Sequence, residues 1–239
     1  MGMQKMVYAD WTASGRLYND IEQKMLHTFG QYCANTHTET NCSGTVMTLA
    51  YHEARQIIKH HVNAKEGDAL IMVGSGMTAA INKWQRILGL RLPEQFHDQI
   101  QVPAEQRPVV FITHMEHHSN QTTWLETIAD VVVIDPTPEG HVQLEHLHYL
   151  LEKYAERPLK IAAVTACSNI TGIQTPYHQI AAMMHRAGGW CFVDFACSAP
   201  YVAIDMHPTD PLEKLDAIYF SPHKFLGGPG TPGVLIFDT

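Results

Sequence analysis

Near the end of the chain, the segment DAIYFSPHKFLGGPGTPGVLIF (216–237) contains two apolar runs separated by a loop. The runs at 216–220 and 233–237 have the length and residue types of buried β-strands. The loop between them is too rich in glycine and proline to form the helix that normally connects two parallel strands. We therefore predict that these two strands run antiparallel.

Upstream of this segment, strand-type and helix-type patterns alternate. Five further strands are predicted at 69–73, 109–113, 131–134, 160–166 and 190–195, and helices at 17–34, 45–63, 77–90, 119–129, 143–155 and 177–187. Several strand runs are almost continuously apolar, as expected for strands covered on both faces. The pattern predicts an α/β fold, a seven-stranded mostly parallel sheet flanked by helices. We divide the chain into an N-terminal segment, 1–16, and one large domain, 17–239.

Composition argues against several classes of protein. The formal net charge is -8 and no block of Lys or Arg stands out, so a nucleic-acid partner is not expected. No stretch approaches the roughly 20 apolar residues of a membrane-spanning helix, and the N-terminus lacks the pattern of a secretory signal. The five cysteines include no CxxC pair, which favours reduced thiols in a cytoplasm over a disulfide framework or a thiolate zinc site.

Unusual polar groups follow four of the predicted strands. In open α/β sheets, ligands bind beyond the carboxyl ends of the strands. The four segments are GSGMTAAIN (74–82), HMEHHSN (114–120), VDFACS (193–198) and YFSPHKFLGGPGTPG (219–233). Three of them also have a plain structural interpretation. The first suits a glycine-rich turn as well as an anion site, Asp194 suits a turn cap, and Lys224 suits an ordinary surface lysine.

Pyridoxal 5'-phosphate (PLP) is one cofactor that would use all four segments. PLP needs a lysine for its aldehyde, a phosphate site, an acid beside its pyridine nitrogen and a flat side chain on its ring. Lys224 would supply the lysine, and Thr78 with Ser221 and His223 would supply the phosphate site. Asp194 would supply the acid, and His117 would supply the flat side chain.

A metal site is the competing interpretation of the histidine-rich segment. His114, His117 and His118 are ligand types, but no carboxylate lies at a suitable spacing. The looser cluster His141, His146 and His148 is typical of a helix surface. We therefore predict no metal site.

Six motifs occur in the order found in one family. The chain resembles the class V aminotransferase family of fold-type I PLP enzymes, and most of all its cysteine desulfurase and selenocysteine lyase branch. The motifs are YADWTASGR (8–16), GMTAAIN (76–82), MEHHSN (115–120), CSNITG (167–172), VDFACS (193–198) and SPHKFLGGPG (221–230). They cover most of the chain, and residues 17–239 would form the PLP-binding large domain.

The resemblance implies a role for each matching residue. Lys224 would form the Schiff base with PLP and later move protons, His117 would stack on the ring, and Asp194 would pair with the ring nitrogen. Asn169 would lie near the phenolic oxygen of the ring. The phosphate would be held by Met77 through its N–H, Thr78, Ser221 and His223. The resemblance also implies a homodimer and a small amino-acid substrate.

Two departures from the family pattern limit this interpretation. Cys197 stands where desulfurases commonly have a glutamine that touches the phenolic oxygen. Family members also continue for well over a hundred residues into a C-terminal small domain, which is absent here and which carries the substrate-binding arginine and the desulfurase cysteine. Among the five cysteines, only Cys42 merits a test as a nucleophile.

The resemblance leaves the reaction open, because sulfur or selenium removal, β-elimination and transamination share their first steps. A desulfurase-like or selenocysteine lyase-like activity is favoured. A transaminase, another PLP lyase, or a PLP-binding but inactive fragment are the alternatives.

Overall fold

The fold of the computed structural model, which describes residues 2–96 and 99–239, is built around one seven-stranded sheet. The strands are β1 Ala69–Val73, β2 Val109–Thr113, β3 Asp130–Ile134, β4 Lys160–Thr165, β5 Trp190–Asp194, β6 Ala217–Phe220 and β7 Gly233–Phe237. Their order across the sheet is β1-β7-β6-β5-β4-β2-β3, and only the pairings of β7 with β1 and β6 are antiparallel. The predicted α/β fold and its antiparallel last strand are confirmed.

Helices cover both faces of the sheet. They are α1 Asn19–Lys24, α2 Cys42–His61, α3 Gly76–Ile87, α4 His118–Leu125, α5 Leu144–Lys153 and α6 Tyr177–Arg186. Alternate residues of each strand point to opposite faces. One face packs with α3 and α4 around Ile81 and Trp124, and the other packs with α5 and α6 around Leu147 and Ile180. No helix in the described ranges is both long enough and apolar enough to cross a membrane.

The predicted helix at 17–34 is wrong as a single element. α1 ends at Lys24, a π-helical turn spans Met25–Phe29, and a 3-10 turn spans Gly30–Tyr32. None of these turns buries a residue in the described chain, and Leu26 is 65% exposed. The apolar spacing is present, but most helical stability in proteins comes from packing, and here little packing supports a regular helix.

The other helices occur where they were predicted, with shifted ends. α2 begins three residues before the predicted start because the Asn41 side chain accepts a hydrogen bond from Gly44 N at 2.8 Å and caps the helix. α4 ends at Leu125 instead of 129. These shifts leave the predicted topology unchanged.

The loop between β6 and β7 is compact. It begins with a 3-10 turn, Pro222–Lys224, and then passes so close to itself that a Cβ on Gly228 would lie 1.9 Å from the carbonyl oxygen of Pro222. The chain therefore returns directly into an antiparallel strand, and Lys224 lies just past the end of β6.

The sheet changes its direction of winding between β2 and β4. The chain leaves β2 toward β3 on one side and returns through α5 to β4 on the other side. In doubly wound sheets, such a switch point opens a crevice at the carboxyl ends of the strands.

Candidate active site

A cavity of about 490 Å³ lies at the carboxyl ends of β2, β4, β5 and β6. All eight residues predicted from the sequence line it, namely Met77, Thr78, His117, Asn169, Asp194, Ser221, His223 and Lys224. The fold thus brings together side chains from segments that are up to 147 positions apart in the chain. Their individual roles toward a ligand remain predictions.

Several other residues line the cavity for which the sequence indicated no role. They are Asp10, Thr12, Ala13, Ser75, Gly76, Ser119, Thr165, Cys167 and Ala196. Asp10, Thr12 and Ala13 belong to the motif YADWTASGR, so the resemblance pointed to their segment without giving it a function. This segment is held in place by a hydrogen bond from Gly15 N to His223 O at 3.0 Å.

The first turn of α3 forms a polar cup at one end of the cavity. Ser75 occupies the N-cap position, but its side chain makes no capping hydrogen bond. The Thr78 and Ser119 hydroxyl oxygens lie 2.7 Å apart. Helix N-termini attract anions because their first N–H groups lack partners within the helix.

Met77 differs in one detail from its predicted part in this cup. Its N–H, expected to hold a phosphate, donates to Ser221 Oγ at 2.8 Å. The contact ties α3 to the loop after β6 and fixes the position of the Ser221 hydroxyl. Any anion in the cup would therefore meet Met77 and Ser221 as a linked pair.

Asp194 is the buried acid of the site, with only 2% of its surface exposed. Its Oδ1 accepts a hydrogen bond from Ala196 N at 2.8 Å, so the predicted turn-capping interaction does occur. Within residues 2–96 and 99–239, Oδ2 accepts no hydrogen bond. Burial raises the pKa of this carboxyl to about 7, against the opposing effects of the Ala196 hydrogen bond and the Lys224 charge. A cation placed at Oδ2 would favour the ionised form.

Lys224 supplies a partly buried amine to the same cavity. Its side chain forms neither a hydrogen bond nor a salt bridge with the residues that the structure describes. Burial, and then the charge of Lys224, lower the pKa values of His117 and His223 below the ordinary histidine range. Both imidazoles are therefore neutral at pH 7.

The imidazole of His117 is held in one tautomer. His117 is the N-cap of α4, and its Nδ1 accepts a hydrogen bond from Ser119 N at 3.2 Å. In a neutral ring, the nitrogen that accepts carries no proton. The proton therefore lies on Nε2.

Two thiols line the cavity. The Cys197 thiol donates to the carbonyl oxygen of Cys167 at 2.9 Å, and burial raises its pKa to about 12. Its proton is thus engaged within the protein. Cys42, the thiol singled out from the sequence, is exposed at the first position of α2 and does not line the cavity.

The histidine-rich segment does not assemble as a metal site. His114 Nε2 lies 3.0 Å from the Gly140 carbonyl oxygen, while His117 caps α4. Across the described parts of the chain, no three His, Cys, Asp or Glu side chains converge in a way that could hold a metal ion.

A comparison with protein-family models matches residues 7–239 to the family described as aminotransferase class-V. This chain belongs to the aminotransferase class-V family. Curated relatives of this class-V chain include a probable cysteine desulfurase of Halalkalibacterium halodurans, 29% identical over 96% of the chain, and a cysteine desulfurase of Haloferax volcanii, 26% identical over 94%. The chain covers 52% and 49% of these two proteins, so it spans about half of their length.

Solved structures agree with the class-V fold. A NifS-like protein from Rickettsia africae superposes with a TM-score of 0.75 at 18% identity, covering 98% of this chain and 58% of that one. The apo cysteine desulfurase of Thermococcus onnurineus superposes with a TM-score of 0.73 at 20% identity, covering 95% and 52%. The class-V chain therefore has the fold of the large-domain part of these proteins.

Proposed function

We propose that this chain is the PLP-binding part of a class-V enzyme that acts on a small amino acid, with removal of sulfur or selenium as the favoured reaction. The observation that carries the proposal is that the buried Asp194 carboxyl and the Lys224 amine line one cavity, and that Lys224 has no hydrogen-bond or salt-bridge partner among the described residues. The curated relatives named as cysteine desulfurases favour cysteine as the substrate.

The chemistry of the side chains fits PLP at three points. The unpartnered amine of Lys224 matches the aldehyde, and the open Oδ2 of Asp194 matches a protonated ring nitrogen. The uncapped start of α3 matches a phosphate, and Gly76 adds to this fit. A Cβ on Gly76 would lie 2.6 Å from His223 Cε1 and 3.2 Å from Ser221 Oγ, so only glycine leaves room there.

Each residue has a distinct task in this proposal. When bound, PLP supplies an electron-withdrawing ring that weakens the bonds at the α-carbon of the substrate. Asp194 holds the ring nitrogen cationic, and His117 packs against the ring with its proton fixed on Nε2. The Lys224 amine would hold the aldehyde of the cofactor, and as a free base it would take and return a proton at the α-carbon.

The first experiment tests cofactor binding. Purified protein is titrated with PLP, and the long-wavelength absorbance of lysine-bound cofactor is recorded for the native chain, Lys224→Ala and Lys83→Ala. Lys83 is an exposed lysine on α3 outside the cavity, so its variant controls for nonspecific reaction with lysines. We expect the band in the native chain and in Lys83→Ala and its loss in Lys224→Ala. A band that persists in Lys224→Ala would refute the assignment of the lysine.

The second experiment tests the reaction. The PLP-loaded protein is incubated with L-cysteine and a reductant, and sulfide and alanine are measured. Equal amounts of the two products support desulfuration, and selenide from selenocysteine would support the lyase branch. If the cofactor band is intact and neither product forms, the desulfurase proposal is overturned. A keto acid formed in step with the aminated cofactor would indicate transamination.

We further propose a homodimer in a cytoplasm. Leu17, Met25 and Leu26 are each more than half exposed in the described chain, and a second copy of this chain would cover them. The five cysteines are all free, which suits a reducing compartment. Light scattering of the purified protein tests the oligomeric state, and a monomer at micromolar concentration would contradict the dimer.

A further inference from the structure

Glu116 is an acidic side chain that the proposed reaction does not use. It precedes His117 in the chain and bonds to Thr165, and both of these neighbours line the cavity. Its Oε1 accepts hydrogen bonds from Thr113 N at 3.2 Å, Thr113 Oγ1 at 2.6 Å and Thr165 N at 2.9 Å. Its Oε2 accepts one from Asn120 Nδ2 at 2.6 Å.

All four partners of Glu116 act as donors. The Thr113 hydroxyl accepts from Met115 N at 3.1 Å, so its own proton is directed to Glu116. The Asn120 oxygen accepts from the Tyr219 hydroxyl at 2.9 Å, which leaves the Asn120 amide to donate. A carboxylate accepts from all four donors, whereas a protonated acid has fewer lone pairs for them and carries a hydrogen that needs an acceptor of its own.

The carboxylate of Glu116 fills the gap at the switch point of the sheet. β2 and β4 are paired through Phe111 and Ala162, and beyond that pair the ends of the two strands are joined by Glu116 through Thr113 and Thr165. The backbone hydrogen bonds between β2 and β4 stop before Thr113 and Thr165, so the N–H groups of these two residues need another acceptor, and Glu116 provides it.

The Glu116 contacts reach Asp194 from both sides. Thr165 of β4 and Tyr219 of β6 are the residues that lie opposite Asp194 in the sheet. Thr165 is bonded directly to Glu116, and Tyr219 is bonded to it through Asn120.

We propose that Glu116 is a positioning residue that fixes Asp194 and His117 around the cofactor ring and adds a second negative charge to the ring site. This inference rests on the proposed PLP function. The ionisable groups around it are Asp194 from β5, Tyr219 from β6 and Lys224, whose positive charge acts on Asp194. Burial, with a smaller contribution from the Asp194 charge, raises the pKa of Glu116 to about 7, while its hydrogen bonds oppose that rise.

The test separates the charge of Glu116 from its hydrogen bonds. Glu116→Gln keeps an acceptor for Thr113 and Thr165 but sets an amide against the Asn120 amide. In the double variant E116Q/N120D, the new glutamine amide donates to the new aspartate, and the negative charge returns one contact away. The Ala163 carbonyl oxygen, which accepts from Asn120 Nδ2 at 3.1 Å, loses its donor, so a lowered melting temperature is expected in this variant. The pH midpoint of the lysine-bound cofactor band and the melting temperature are measured for the native chain and for both variants.

We expect the pH midpoint in Glu116→Gln to fall by about one unit, a tenfold loss of proton affinity, because a negative charge that favours the cationic form is removed. The double variant should recover most of this shift. An unchanged midpoint with a lowered melting temperature would make Glu116 purely structural and overturn the inference. A double variant that binds the cofactor but keeps the lowered midpoint would also overturn it.

Two further outcomes keep the test decisive. If Glu116→Gln does not fold, Tyr219→Phe is used, because it removes one donor to Asn120 and keeps the ring in the core. The circular dichroism of its cofactor band should then fall at unchanged absorbance, and an unchanged signal overturns the inference. Absence of the band in the native chain would instead refute PLP binding, and this inference with it.

Discussion

Asp194 and Lys224 face one cavity with different access to water. Asp194 is almost fully buried and keeps one carboxylate oxygen free, whereas Lys224 is only partly buried. A buried carboxylate without a full set of partners is costly. A cationic ligand at Asp194 would remove that cost, so we expect this residue to favour a positively charged group in the cavity.

His185, which does not line the cavity, makes a pH-dependent contribution to stability. His185 Nδ1 lies 2.6 Å from the Leu212 carbonyl oxygen, and Nε2 lies 2.8 Å from Asp216 Oδ2. Both partners are acceptors, so both ring nitrogens carry protons. The hydrogen bond to Asp216 raises the pKa of His185, although burial opposes it. The stabilisation is therefore complete below the unfolded-state pKa of about 6.5 and is lost as pH rises through the higher folded-state pKa.

We predict that His185→Gln lowers the melting temperature by about 2–4 °C at pH 6, the shift that corresponds to roughly 1 kcal/mol in a chain of this size. The difference should shrink toward pH 9. His178→Gln is the matched control, because His178 lies on the same helix and, among the residues that the structure describes, its ring bonds only the Glu213 carbonyl oxygen. Melting curves from pH 6 to 9 measure both variants. A His185→Gln difference that does not vary with pH would contradict the assignment.

At the scale of elements, α3 connects the fold to the site. Gly76 at its start and Gly89 just beyond its end both have positive φ angles, +65° and +71°. A Cβ on Gly76 would meet His223 and Ser221, whereas a Cβ on Gly89 would have no atom within 4 Å. Alanine at either position would therefore strain the backbone, but only alanine at position 76 would also disturb the polar cup.

We predict that Gly76→Ala and Gly89→Ala each lose roughly 1–2 kcal/mol of stability, because alanine is strained at positive φ. Only Gly76→Ala should also bind PLP about tenfold more weakly, since His223 and Ser221 must move. Denaturant unfolding and fluorescence titration with PLP measure the two effects. Equal PLP affinity in the two variants would show that the start of α3 does not form the phosphate site.

The success of the sequence prediction also differed between elements. β2 and β4 were placed correctly because their continuous apolar runs are buried on both faces. The helix predicted at 17–34 failed because periodicity reports only that an apolar face exists, and it does not report whether that face meets a partner. Glu116 was missed for a related reason. Its partners Thr113 and Thr165 are 52 positions apart, and only the switch between β2 and β4 brings them together.

At the scale of the whole molecule, the cavity is lined by segments that are distant from one another in the sequence. The N-terminal segment contributes Asp10 and Thr12, α3 contributes part of the cup, and the segments after β2, β4, β5 and β6 contribute the rest. The residues that line the cavity at the strand ends could be predicted from the sequence, because ligands bind beyond the carboxyl ends of the strands in α/β sheets. The sequence did not predict the N-terminal wall, because that wall depends on the contact between Gly15 and His223, which are distant in the chain.

A ligand that contacts all these segments should stabilise the whole fold. At a PLP concentration of 100 times its dissociation constant, binding adds about 2.7 kcal/mol, which corresponds to a rise of about 5–10 °C in melting temperature. We predict that Lys224→Ala, at the same PLP concentration, keeps only part of this rise, because the covalent link is lost while the phosphate cup and Asp194 remain. Pyridoxal without its phosphate should also give a smaller rise in the native chain. Scanning fluorimetry measures all three cases, and an equal rise in Lys224→Ala and the native chain would mean that the cofactor is held without the lysine.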